Sequence, residues 1–337
     1  MRAKNCSFAG QFMGITVSSL KEPISAELEL FEKQFRGSMK TSVPLLDTIM
    51  NYIVRRKGKQ VRPMFVLYST SLFSEIGERT YRGAALVELL HTATLVHDDV
   101  VDDSYERRGF FSINALWKNK IAVLVGDFLL SKGLLLSVEH KDYDLLEIVS
   151  NAVREMSEGE LLQLERSRFM DVTEEVYFEI IRKKTASLIA SCCAIGAASA
   201  GQSAETIEDM RRFGELIGLA FQIRDDLFDF GDNKSGKPAG IDIKEKKLTL
   251  PVIYAFSKAS GSKVRSIKSL IRSKTPDKQK IREVVAFIEE NGGLNYARER
   301  MYALRDEAFG ILDRVAQPSA NREHLRNLVT FVIEREN

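Results

Sequence analysis

Two short runs of aspartate are the residues in this chain whose types and spacing could do chemistry: HDDVVDD at 97–103 and RDDLFD at 224–229. Each ends a stretch in which apolar residues recur at helical spacing. On a helix Asp98 and Asp102 stand four apart, so their carboxylates leave one face a turn apart. Asp99 and Asp103 make a second such pair, about 100° around. Asp225 and Asp229 repeat the arrangement, with Asp226 adjacent. Four carboxylates in six residues repel one another, and at a helix C-terminus they also meet the wrong end of the macrodipole. A hard divalent cation relieves both, and Mg²⁺ in particular shares its coordination sphere between carboxylates and phosphate oxygens. A solvated acidic helix end would explain one such run. It does not explain two copies of Asp-Asp-x-x-Asp, each on an apolar helix and each followed by a basic loop.

The basic residues complete the chemistry. Arg107 and Arg108 follow the first run, Lys59 and Arg62 lie in GKQVRP at 58–63, Lys184 precedes Thr185, and Lys237 and Lys247 follow the second run. Carboxylates, a divalent cation and Arg/Lys together neutralise a polyanion such as diphosphate. His91 is seven residues before Asp98, about 10.5 Å back along the same helix face, where it can donate to a phosphate.

The elements that must position these groups read as helix after helix. Apolar residues recur at helical spacing, as in Leu28, Leu30, Phe31 and Phe35 or Leu45, Leu46, Ile49 and Ile53, and no sustained period-two run is present. Breaks fall at Ser42-Val43-Pro44, Lys57-Gly58-Lys59, Arg107-Arg108-Gly109, the polar loop 231–238, Ser260-Gly261-Ser262, Thr275-Pro276-Asp277 and Asn291-Gly292-Gly293. No composition shift marks a linker. The reading is all-α: about a dozen helices in a single large domain over 16–337, with the first fifteen residues expected to be disordered.

With 28% charged and 44% hydrophobic residues and a formal net charge of +2, nothing argues for bulk electrostatic binding to nucleic acid or to an anionic membrane. Cys6, Cys192 and Cys193 have neither CxxC spacing nor histidine partners, so no zinc site or disulfide framework is expected, and a reducing, cytoplasmic compartment fits. The N-terminus lacks the apolar core of a secretory signal. Thr185 to Ala204 runs twenty residues without a formal charge. Its content is mostly Ala, Ser, Gly and Cys, which predicts a buried central helix and no transmembrane segment.

At this point the residues resemble the trans-isoprenyl diphosphate synthases. LVHDDVVDDSYERRG is similar to that family's first aspartate-rich motif and FQIRDDLFDFGD to its second, and the likeness runs from GKQVRP to DIKEKKLTLP at 242–251. The resemblance implies the type I isoprenoid synthase fold, a helical domain around a deep central cavity, usually in a homodimer. It implies three Mg²⁺ per site, held directly by Asp98, Asp102 and Asp225, with Asp99, Asp226 and Asp229 acting through bound water or behind them. Arg107, Lys184, Thr185, Gln222, Lys237 and Lys247 would hold the allylic diphosphate, with Gln163 nearby. Gly58, Lys59, Arg62, His91 and Arg108 would hold isopentenyl diphosphate. Lys184 and Lys237 join Asp98, Asp102 and Asp225 as the groups expected to drive ionisation of the allylic substrate, whose cation then condenses head to tail with isopentenyl diphosphate. Glu245-Lys246-Lys247 departs from the family's usual Glu-Gly-Lys, which bears on the place of Lys247.

Product length is expected to follow from the residues below the first motif. Thr94 and Ala93, four and five before Asp98, are small where short-chain members carry bulky aromatics, and Leu90 lies a further turn down. The first motif also lacks the two-residue insertion of many bacterial short-chain enzymes. Both features point to an all-trans polyprenyl diphosphate longer than C20, a quinone side-chain precursor, with a floor placed at Phe128, Leu134 or Leu135. The competing readings are a farnesyl or geranylgeranyl diphosphate synthase, a terpene cyclase or head-to-head condensing enzyme, and a non-catalytic subunit of a heteromeric synthase. GKQVRP and the Arg-Arg-Gly after the first motif argue against a cyclase, which has no isopentenyl diphosphate to hold. The intact motifs argue against a non-catalytic subunit.

Overall fold

A computed structural model describes residues 14–55, 58–107, 109–169, 172–230, 243, 245, 247–273 and 278–334. The expected disorder of the first fifteen residues falls almost wholly outside them. The described chain is helical nearly throughout. It opens with α1 (Val17–Lys21), a 3₁₀ turn (Glu22–Ile24), α2 (Ser25–Ser38), α3 (Pro44–Arg55), α4 (Val61–Ser71) and α5 (Glu78–Val101). A two-residue hairpin, β1 (Glu106–Arg107) with β2 (Phe110–Phe111), then leads to α6 (Ile113–Glu139) and α7 (Tyr143–Phe169). After these come α8 (Glu174–Ile181), a π turn (Arg182–Ala186), α9 (Ser187–Ser199) and α10 (Ala204–Phe228). The chain closes with α11 (Leu250–Lys258), α12 (Gly261–Arg272), α13 (Lys278–Glu290), α14 (Gly293–Val315) and α15 (Ala320–Glu334). Among the described residues this hairpin is the only sheet, and period-two alternation could not reveal it because each strand is two residues long.

Local chemistry sets the helix ends. Ser112, Thr173 and Ser203 each accept a hydrogen bond from the backbone three residues on, capping α6, α8 and α10. Pro44 opens α3, and Gly292, with φ 74°, turns the chain into α14. Gln60 takes φ 61° before α4, a left-handed conformation that bends GKQVRP into the helix start.

The core is built around α9. Every residue from Ser187 to Ala198 is buried, against α4, α5, α7 and α10. Small residues make this possible. A Cβ on Gly218 of α10 would lie 2.4 Å from the Cα of Ala186, and one on Gly196 would lie 2.4 Å from the Cβ of Ser69. The uncharged stretch 185–204 thus carries a core helix, α9, as its composition predicts. A different helix has the length and apolar composition to cross a membrane: α6, whose most apolar window is 33% buried. One face of α6, with Ala122, Val125 and Leu129, is buried in a cluster that includes Leu89, Ala93 and Val96 of α5.

Candidate active site

A cavity of about 1790 Å³ opens between α2, α4, α5, α7, α8, α9 and α10. Asp98 and Asp99, in the last turn of α5, line one wall, and Asp225, Asp226 and Asp229, at the end of α10, line another. Asp102 keeps its place a turn beyond Asp98, its N–H donating to the Asp98 carbonyl at 2.8 Å. It stands exposed as the C-cap of α5 and is not among the residues that line the cavity. Asn114 of α6 ties this end down, its Nδ2 donating to the Asp99 carbonyl at 3.0 Å.

Consecutive carboxylates of the second run are treated differently. Asp225 is 43% exposed and pairs with Arg224. That guanidinium is buried between the rings of Phe221 and Phe228, 4.8 and 5.1 Å away, and donates to the carbonyl of Val332 in α15. Asp226 is 4% exposed. It accepts from the Tyr177 hydroxyl at 2.6 Å and from the Gln222 amide at 3.0 Å.

The expected basic residues converge on the same space. Gly58, Lys59, Arg62 and His91 line the α4–α5 side of the cavity, Lys184, Thr185, Gln163 and Gln222 the α7–α10 side, and Lys247 borders it too. Lys59 lies 5.7 Å from the Phe331 ring, and Arg62 is 3.7 Å from Glu88. Lys184 pairs with Glu160 and donates to Gln163 at 3.3 Å. Lys184 and Thr185 sit on the π turn, an irregularity often found at functional sites. Gly159 of α7 makes room for it, since a Cβ there would lie 2.7 Å from the Lys184 nitrogen. Lys247 pairs at 2.5 Å with Glu245, the acid that the family pattern shares, and Lys246, which departs from that pattern, lies outside the described residues. Arg108, Lys237 and the side chain of Arg107 lie outside the described residues.

The residues expected to set product length divide. Thr94 lines the cavity. Ala93 does not: it is 2% exposed and packs with Met50 of α3 and Val125 and Leu129 of α6. Leu90 is equally buried, and a Cβ on Gly133 of α6 would touch it at 3.3 Å. The expectation that both face the cavity is corrected by helix geometry, because five and eight residues back from Asp98 are about 140° and 80° around the helix. Of the proposed floor positions, Leu134 and Leu135 are exposed on the outer face of α6, and Phe128 packs against the α5–α6 cluster outside the cavity lining.

Tyr177 and Glu160 escaped the sequence reading. Tyr177 offered a faint signal, a polar-tipped aromatic seven residues before Lys184, and Glu160, one of several acids on α7, offered none. Among the described residues no three acidic, His or Cys side chains form a ready-made metal cage. Two separated walls of hard carboxylate oxygens fit an ion that completes its sphere with phosphate oxygens and water better than one held by protein alone. Burial explains the silence of the two core thiols. It raises the Cys192 pKa well above the ordinary range and pushes Cys193 up to about 12.

The family described as polyprenyl synthetase matches residues 43–288. The chain is 34% identical, over 93% of its length and 96% of the relative's, to an all-trans-nonaprenyl-diphosphate synthase (geranyl-diphosphate specific) of Rhodobacter capsulatus. It is also 34% identical, over 91% and 96%, to a short chain isoprenyl diphosphate synthase of Methanothermobacter thermautotrophicus. The crystal structure of a decaprenyl diphosphate synthase from Rhodobacter capsulatus superposes with a TM-score of 0.89 at 32% identity, covering 96% of this chain and all of that one.

Proposed function

Because this chain belongs to the polyprenyl synthetase family and is a prenyltransferase, we propose that it condenses isopentenyl diphosphate head to tail with an allylic diphosphate, giving an all-trans product longer than C20. The observation that carries this is the placement of both aspartate runs on separate walls of one cavity that also collects Lys59, Arg62, His91 and Lys184. That is two cation-lined subsites flanking one carboxylate-lined gap, as two diphosphate substrates require. At about 1790 Å³ the cavity exceeds the roughly 300–1,000 Å³ of an ordinary small-molecule pocket. The surplus supports a long chain, as does Thr94 in place of an aromatic on its wall.

Mg²⁺, held by Asp98, Asp102 and Asp225 with Asp99, Asp226 and Asp229 behind them, would neutralise the departing diphosphate when bound. On the protein's side Lys184, Arg107, Lys237 and Lys247 orient the allylic diphosphate and stabilise the charge that grows as its C–O bond breaks. The bonding pair leaves with the diphosphate. Lys59, Arg62, Arg108 and His91 hold isopentenyl diphosphate so that its double bond meets the allylic cation. A new C–C bond forms, and the released diphosphate accepts the proton lost from the adduct. No protein nucleophile is needed.

We also read α6 as the contact with a second copy of this chain, and the compartment as cytoplasmic. The test of the activity is direct. Purified protein with farnesyl diphosphate, labelled isopentenyl diphosphate and Mg²⁺ is expected to yield labelled products longer than C20 after dephosphorylation, and EDTA to stop them. Products ending at C15 or C20 would make it a short-chain enzyme, and no product from the protein alone would favour a non-catalytic subunit.

A further inference from the structure

Asp226 is an odd member of a metal-binding run. Its carboxylate is buried, and both of its oxygens are engaged by protein donors: the Tyr177 hydroxyl at 2.6 Å and the Gln222 amide at 3.0 Å. The chain of contacts continues, since the Thr185 hydroxyl donates to the Gln222 carbonyl oxygen at 2.9 Å. Thr185 is next to Lys184 on the π turn, and Lys184 reaches Gln163 and Glu160 on α7. One line of hydrogen bonds thus joins α8, the end of α10 and the π turn. Tyr177 begins it from α8, buried itself, with its ring edge-on to Phe178. Beside Asp226, Asp225 is left half-exposed to the cavity.

We propose that Tyr177 is a positioning residue of the diphosphate site. By holding Asp226 it sets the angle at which Asp225 is presented, and through Gln222 and Thr185 it registers that carboxylate wall against Lys184. The inference rests on the reading of the cavity as a diphosphate site. The physical argument is the strength and place of the contact. A phenol donating to a buried carboxylate makes a charge-assisted bond, about twice as strong as a neutral one. Without it the carboxylate oxygen loses a donor in a place where water replaces it poorly, and the last turn of α10 must move to recover one. Groups behind a metal's own ligands typically cost about 10–100-fold in metal affinity or activity when lost. The residues read as the isopentenyl diphosphate subsite belong to other elements, α4, α5 and the turn before α4.

The test is a double-mutant cycle of Tyr177→Phe, Asp226→Asn and both. Tyr177→Phe removes one oxygen and keeps the ring's packing. Calorimetry of Mn²⁺ with inorganic diphosphate reads the site without turnover, and steady-state kinetics read the two substrates separately. Expected for Tyr177→Phe are about tenfold weaker Mn²⁺–diphosphate binding and a matching rise in the allylic KM. The isopentenyl diphosphate KM should stay unchanged, and the double variant should be no weaker than Asp226→Asn. Unchanged binding, losses that add in the double variant, or both KM values rising together would each overturn the proposal. Wild-type protein that binds Mn²⁺–diphosphate but makes no prenyl product would sink the enzymatic reading instead, leaving the calorimetric cycle to judge Tyr177 on its own.

Discussion

Asp98 and Asp225 line opposite walls of the cavity, and each is an exposed aspartate next to a buried one. Burial of Asp99 and Asp226 anchors the helix ends, and exposure puts Asp98 and Asp225 where a cation in the cavity would meet them. Asp98→Ala and Asp225→Ala are therefore expected to lower turnover by about a hundredfold or more, the scale of losing one preorganised electrostatic group, while far-UV circular dichroism and the melting temperature stay near wild type. The core thiols predict the opposite kind of silence. With burial pushing Cys193 up to about 12 and Cys192 also far up, neither is a thiolate at pH 8, and thiolate is the reactive form. Peptide mapping after iodoacetamide treatment should find both unmodified in folded protein and modified once guanidinium is added. The aspartates and most of the basic residues were legible in the sequence because charge runs at helical spacing are unusual and turn residues flag them. Tyr177 and Glu160 were not legible, because their roles exist only where α7 and α8 meet the π turn, and no spacing along the chain encodes that meeting.

At the scale of elements, α5 shows how far a pattern of apolar residues can be read. Its first half is buried nearly all round, so periodicity announces a core helix but does not say which neighbour each side meets. The structure resolves this: Thr94, Asp98 and Asp99 turn to the cavity, Ala93 and Leu89 turn to α6, and Val96 borders both. Smallness at 93 and 94 therefore has two meanings. At Thr94 it leaves room for a growing chain, and at Ala93 it lets two helices approach. Thr94→Phe is expected to shorten the main product by at least one isoprene unit with the fold intact, read by chromatography of the dephosphorylated products. Ala93→Phe puts a ring into a packed seam, a change that costs about 1–3 kcal/mol, and should show first in the denaturant midpoint. Shortening by Ala93→Phe alone, with stability unchanged, would mean that the chain runs along the α5–α6 seam. In the same way the composition of 185–204 predicted burial correctly, yet only the close approach of Gly218 to Ala186 and of Gly196 to Ser69 explains why the residues are so small.

For the molecule as a whole, α6 leaves the largest debt. Its inner face covers α5, while roughly opposite it Val123, Leu124, Leu134, Leu135 and Val138 are exposed, 40–57% each. Leu161 and Leu164 of α7 and the hairpin's Phe110 and Phe111 add further exposed apolar side chains. An apolar stripe this long is costly in water. A bilayer is a poor answer to it, because Asp127 and Ser131 are exposed on the same helix between those residues, and an aspartate at bilayer depth costs about 2.5–3.5 kcal/mol. A protein surface with a few polar partners suits that mixture. A second copy supplies one by symmetry, since an isologous contact matches α6 to itself. Burying on the order of 1,600 Å² in total would make a stable dimer. It would also brace the α5–α6 seam from outside, where α5 carries Asp98 and Asp99 at its end. The wild-type chain should therefore sediment as a dimer at micromolar concentration. Leu124→Glu with Leu135→Glu puts two charges into the stripe without touching the cavity, and should yield a monomer. A monomeric wild type, or a doubly substituted chain that sediments as wild type does, would show that α6 meets something other than a copy of itself.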